Sequence, residues 1–172
     1  WYVVKRDRLP LTGRSLRMAI HTVDHSALLY SASDISVWET PGLLEHPFLA
    51  KLGPDILSED LTWRQVAHIL SSPKFRNRGL GAFYLDQSFV AGIGNYLRSE
   101  ILFFAKVNPW AKPSQLSTKQ LNLLAKATLE VSRRSYKTKG LTNLAPRVSA
   151  LKKMGLTRSQ FRHAVFARQS QA

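Results

Sequence analysis

The spacing of apolar residues changes character along the chain. Residues 1–6 and 16–23 are short apolar-rich runs separated by a turn region at 10–13, and residues 27–30 continue the pattern after His25-Ser26. Short runs bounded by turn residues predict strands of an antiparallel sheet. Pro41-Gly42 breaks that pattern, and after residues 47–54 the composition changes. From Leu61 onward the apolar period is helical. Thr62 is a predicted N-cap for a helix over 63–70, with Val66, Ile69 and Leu70 on one face, and Pro73 ends it. A second helical run, 82–89, stops at Ala91-Gly92-Ile93-Gly94, and a third, 95–105, stops before Asn108-Pro109. Ser117 is placed to cap a fourth helix through about Ser135, with Leu121, Leu124, Ala125, Leu129 and Val131 along its apolar face. Residues 137–158, basic and broken by Gly140, Pro146 and Gly155, predict a loop region, and residues 161–167 predict a closing strand. No internal repeat is visible. The expected fold is α+β: a partial sheet, a hinge near 45–60 and a four-helix basic module.

Charge narrows the function. The 172 residues hold 25 Lys and Arg against 11 Asp and Glu, a formal +14, with 44% hydrophobic residues, enough for a buried core. Such an excess points to a polyanion, because cations that neutralise phosphates release condensed counterions. A membrane surface is the weaker candidate: no run approaches the roughly 18 apolar residues needed to span a bilayer, and the cations are scattered through folded-looking segments. There is no Cys, so these residues form neither a disulfide nor a Cys-based zinc site. His21, His25, His46, His68 and His163 lack metal-ligand spacing, so no metal ligand is expected. Nothing resembles a signal peptide, and a cytoplasmic, nucleoid-associated location is expected. The chain opens Trp1-Tyr2-Val3-Val4 without Met, inside a predicted strand, so the gene product is expected to start upstream.

The most informative segment is Leu85-Asp86-Gln87-Ser88-Phe89-Val90-Ala91-Gly92-Ile93-Gly94-Asn95-Tyr96-Leu97-Arg98-Ser99-Glu100. It reads as two helices joined by a tight turn. Gly92 and Gly94 remove side chains where the backbone needs positive φ or must let another surface approach. Asn95 then opens a helix whose unpaired N–H groups and dipole favour an anion, naturally a phosphate. A bare Gly-x-Gly-Asn also fits an ordinary helix hairpin capped by Asn95; the longer motif and the basic chain favour the anion.

This run resembles the helix-two-turns-helix motif of the formamidopyrimidine glycosylase and endonuclease VIII family. Leu28-Leu29-Tyr30-Ser31-Ala32-Ser33-Asp34 resembles the end of that family's N-terminal β-sandwich, and His46-Pro47-Phe48-Leu49 with Gly53-Pro54-Asp55 its interdomain hinge. Ser72-Pro73-Lys74-Phe75-Arg76-Asn77-Arg78 and Ser135-Tyr136-Lys137-Thr138-Lys139-Gly140 are similar to the endonuclease VIII branch. The resemblance implies sandwich residues at 1–44, a hinge at 45–60, a helical domain at 61–158, and at 159–172 a strand leading to a four-Cys zinc finger beyond Ala172. It implies that Asn95, helped by the Gly92 and Gly94 backbone, bonds a phosphate beside the lesion. Lys51 falls where the branch carries a DNA-contacting Arg; Lys keeps the charge without the bidentate geometry. Arg76 and Arg78 either reach phosphate or face solvent. Tyr136 and Lys139 precede a loop that in the family lies near the extruded base. Asp86 and Glu100 are expected to order helix ends rather than act as acids, and Trp38, Trp63 and Trp110 to pack.

The resemblance further implies a bifunctional DNA glycosylase and AP lyase acting on oxidised bases, pyrimidines in the endonuclease VIII branch. An N-terminal Pro amine forms a Schiff base with deoxyribose C1′, and β,δ-elimination follows. That Pro, the following Glu, the catalytic Lys and the wedge residues are expected upstream of Trp1, so these 172 residues alone are expected to be inactive. The expected partner is damaged double-stranded DNA bound by a monomer without membrane contact, with zinc only in the full-length protein. The alternative is a non-catalytic nucleic-acid-binding protein carrying the same helical module.

Overall fold

A computed structural model describes residues 1–166. They form two compact units, Trp1–Leu44 and a second beginning at Glu45. The first holds strands β1 (Tyr2–Lys5), β2 (Leu16–His21) and β3 (His25–Tyr30) in one antiparallel sheet of order β1-β3-β2. β3 is paired on both edges; Ser26 and Leu28, two apart and so on one face of the sheet, are its buried residues, while Val3 and Ile20 stay exposed. Thr22 closes the β2–β3 turn: its backbone N–H donates to His25 O at 2.8 Å and its hydroxyl accepts from His25 N–H at 3.1 Å.

The second unit is helical: α1 (Trp63–Ser71), α2 (Leu80–Phe83), α3 (Asn95–Ala105), α4 (Thr118–Lys137), α5 (Ala145–Lys153) and α6 (Arg158–Phe161). α4 packs against both α1 and α3. Val66 and Leu70 of α1, Leu97 and Ile101 of α3, and Leu124 and Val131 of α4 are all buried in the shared core. Phe75, Phe83 and Phe89 fill its lower end with ring centroids 5.0–5.4 Å apart. Thr62 and Ser117 cap α1 and α4 through reciprocal bonds with Gln65 and Gln120, as their spacing predicts. The hydroxyl of Thr128 donates to Leu124 O, so the buried Tyr84 hydroxyl, 2.8 Å away, is the donor that ties α2 to α4. Burial pushes that phenol's pKa well up, against the weaker pull of Thr128.

Three sequence expectations are corrected. The second helix is one turn at Leu80–Phe83 rather than 82–89, because the Asp86 carboxylate takes the Ser88 N–H at 3.0 Å and hydroxyl at 2.6 Å and diverts the chain into turns. The expected loop region 137–158 contains α5, whose first turn accommodates Pro146 because an N–H there has no intrahelical acceptor. Gly140, at φ +99, donates to Ser135 O and closes the end of α4. The expected strand at 161–167 is instead the end of α6 followed by bent, irregular chain at 162–166. Residue 167 lies outside the described residues.

Candidate nucleic-acid interface

α3 begins abruptly. Its N-cap is Gly94, in extended backbone at φ −110, and no side chain caps this end. Asn95 is the first helical residue and is exposed, as are Gly92 and Gly94. The helix thus presents first-turn N–H groups, its positive dipole end and the Asn95 amide to solvent together.

The turn before it is held from within by a residue that sequence reasoning passed over. The Gln87 side chain donates to Leu85 O and Ile93 O, both at 3.1 Å, and accepts the Gly92 N–H at 2.9 Å. That last bond engages the Gly92 N–H within the turn. Gly92 itself sits at φ +97, with Ile56 Cγ2 3.1 Å from where a Cβ would stand. At Gly94 a Cβ would meet nothing within 4 Å. The first glycine serves the fold; the second leaves open space before the helix.

Backbone bonds fasten the 53–56 segment to this turn. Gly53 N–H donates to Gln87 O at 2.9 Å, Ala91 N–H to Pro54 O at 2.9 Å, and Ile56 N–H to Ala91 O at 3.0 Å. A Cβ at Gly53 would lie 2.5 Å from Phe89 O, so no larger residue fits there without displacing backbone. Lys51, exposed at the end of the turn Leu49–Lys51, enters the same strip two residues earlier. The far end of α4 approaches from the other side: Tyr96 and Ser135 hydroxyls lie 3.1 Å apart, and Arg133 bonds Ser58 O and Leu61 O. Tyr136 follows on the last turn, 71% exposed, and Lys139 stands just beyond with φ 54. Gly92, Gly94 and Asn95 therefore share one turn, with the segment that follows Lys51 and the α4 end carrying Tyr136 and Lys139 fastened to it.

Arg76 and Arg78 occupy the loop before α2. Arg76 is exposed, and its carbonyl accepts from Ser114 N–H. Arg78 already pairs with Asp86 at 2.7 Å and lies over the Phe75 ring at 5.5 Å. Hydrogen bonds from Ser88 and then Arg78, outweighing slight burial, pull the Asp86 carboxyl down to about 2.

Glu100 is fully buried on α3, and its carboxylate is closed on all sides. It accepts the Thr142 hydroxyl at 2.5 Å and the N–H groups of Ala164, Val165 and Phe166 at 2.6, 2.7 and 2.9 Å. Burial raises its pKa, but these donors outweigh it and hold the group below the usual range. The expectation that it orders structure is met at a different place: it gathers the 164–166 segment. Tyr96 stacks near His163 at 5.1 Å beside this latch, and burial lowers the His163 pKa against the Glu100 charge. Trp63 packs against the core between Arg64 and Lys126, and the Trp38 indole donates to Ser36 Oγ at 3.0 Å, whereas Trp110 is 87% exposed and is not a packing residue.

The family described as "Formamidopyrimidine-DNA glycosylase H2TH domain" matches residues 52–145, more than half of the chain. Endonuclease 8 of Enterobacter sp. (strain 638) is 45% identical over all 172 residues, which span 62% of that relative. Endonuclease 8 of Pectobacterium atrosepticum is 47% identical over 140 residues, 81% of this chain and 53% of the relative. Among solved structures, MutM in complex with DNA containing carbocyclic 8-oxo-G aligns with TM-score 0.62 and 23% identity over 79% of this chain and 51% of that one. Lactococcus lactis Fpg in complex with abasic-site DNA gives TM-score 0.60 and 24% identity over 78% and 49%. The chain belongs to the formamidopyrimidine-DNA glycosylase family defined by the helix-two-turns-helix domain. It spans between half and two thirds of the length of these curated relatives.

Proposed function

We propose that this chain is the DNA-gripping part of a base-excision DNA glycosylase and AP lyase acting on oxidised bases, pyrimidines foremost. The observation that carries this reading is the uncapped, exposed start of α3, where Gly94 and Asn95 stand in a chain of formal charge +14. A phosphate seated there accepts from first-turn N–H groups and the Asn95 amide, a neutral-donor version of the helix-terminus anion site. Lys51, Arg76, Tyr136 and Lys139 add backbone contacts that fix register without reading sequence. Arg78 adds less, since it must first leave Asp86.

Held at a phosphate beside the lesion, the duplex is oriented so that the damaged nucleotide can be extruded; unstacking costs least at a damaged pair. The nucleophile implied by the family resemblance, an N-terminal Pro amine, is not among these residues, which contribute binding and orientation. The zinc implied by the family finds no fit here. The chain has no Cys, and among the described residues no cluster of three or more His, Asp or Glu can hold a metal. Among the described residues no helix is long and apolar enough to cross a membrane.

The test is borohydride trapping of the protein expressed from its whole reading frame on a duplex carrying one oxidised pyrimidine. A covalent protein–DNA adduct is expected. DNA binding without any adduct or strand cleavage would favour the non-catalytic reading instead.

A further inference from the structure

A second concave surface opens along the later turns of α3. Leu102 and Phe103 form one wall, the start of α2 another, and the Lys106–Trp110 segment the third, around a volume of about 1000 Å³. Its walls are fixed. Gly81 N–H donates to Pro109 O at 2.7 Å, Leu80 N–H to Ala111 O at 3.0 Å, and Arg98 to Gly81 O at 3.0 Å. A Cβ at Gly81 would stand 3.2 Å from Pro109 O, so the two segments touch at glycine clearance. The Asn108 carboxamide accepts the Trp110 N–H at 2.9 Å and holds the turn that carries the indole. On that pinned turn Trp110 is 87% exposed, with Phe103 45% exposed across the cleft.

We propose that this cleft docks an acidic, apolar peptide segment of a partner protein, one large apolar side chain seating between Phe103 and Trp110 and a carboxylate pairing with Lys106. An exposed indole on a rigid turn is a preorganised anchor, since little side-chain or loop freedom is lost when it is covered. The sign of the occupant follows from charge. The ionisable groups of the lining are Arg98 and Lys106, both cationic, and Arg98 is already engaged with Gly81. A second copy of a +14 chain is repelled, whereas an acidic segment is attracted. Duplex DNA fits poorly, because the walls offer Leu102, Phe103, Val107 and Pro109 where phosphates need cations and N–H donors. One wall reaches back to Ser99, whose hydroxyl donates to Asn95 O at 3.1 Å, but the anchor groups lie at the far end: Lys106 follows the last residue of an eleven-residue helix that Asn95 begins, a span of about 16 Å.

The test is selection of random dodecapeptides displayed on phage against the intact chain, followed by fluorescence anisotropy with the selected peptides, labelled. Enrichment of peptides joining an aromatic or large aliphatic residue to Asp or Glu is expected. Their affinity should fall about tenfold or more in both Trp110→Ala and Lys106→Glu. Duplex affinity and melting temperature should be unchanged in Trp110→Ala, whose side chain supports no core. The proposal is overturned by failure to enrich any peptide, or by enriched peptides that lack acidic residues. It is equally overturned if acidic peptides ignore Trp110→Ala, if that variant loses duplex affinity, or if it abolishes a concentration-dependent dimer.

Discussion

Gly92 and Gly94 are separated by one residue and do different work, which makes them separable by substitution. Gly92→Ala places a side chain at φ +97 beside Ile56 and should destabilise the chain by about 1–2 kcal/mol in urea unfolding. Gly94→Ala meets open space at an ordinary φ, so stability should hold or rise slightly while duplex affinity drops, because the added methyl would stand where the proposed phosphate approaches. Equal affinities for Gly94→Ala and the parent chain would remove that residue from the interface. Asp86 gives a pH prediction. Its folded pKa of about 2 lies below the unfolded carboxylate value near 3.9, so its stabilisation is complete above the unfolded value and is lost as pH falls through the folded one. Acid unfolding between about pH 4 and 2 should therefore be less steep in Asp86→Asn. An unchanged slope would show that the Ser88 and Arg78 bonds do not persist in solution.

At the scale of elements, α3 organises the second unit: its start faces solvent, its middle carries Glu100 and its later turns wall the cleft. Glu100→Gln sets an NH₂ group against donors from Thr142 and residues 164–166. Removing an acceptor from several buried donors costs about 1–3 kcal/mol, and amide exchange at 164–166 should quicken. Exchange rates equal to those of the parent chain would contradict the latch. The same contact explains what was legible in the sequence. α1 and α4 could be read because Thr62 with Gln65, and Ser117 with Gln120, are local signals three residues apart. Residues 161–167 read as a closing strand, but the N–H groups of 164–166 bond a carboxylate 64 to 66 positions earlier, which no local pattern reveals. α5 was hidden because Pro146 signals a break everywhere except the first turn of a helix. Asn95 and the glycines were visible as a motif. The roles of Gln87, Gly53 and Trp110 depend on what lies across the turn or on solvent exposure, and the sequence alone carries neither.

Across the whole molecule, charge is distributed unevenly. The last acidic residue is Glu130, and residues 131–172 hold ten Lys and Arg with no Asp or Glu. The end of α4 and the segment after it supply cations beside the turn that opens α3, so in the proposed function long-range attraction and the phosphate site would belong to one unit. The most direct measurement is fluorescence anisotropy of the chain on two duplexes, intact and carrying one abasic-site analogue, across a salt series, repeated with Asn95→Ala. The account predicts affinity that falls log-linearly with salt, and a loss of roughly 1–3 kcal/mol in Asn95→Ala on both duplexes with the salt slope nearly unchanged, since a neutral donor has been removed. Parent-like affinity of Asn95→Ala on both duplexes would contradict it.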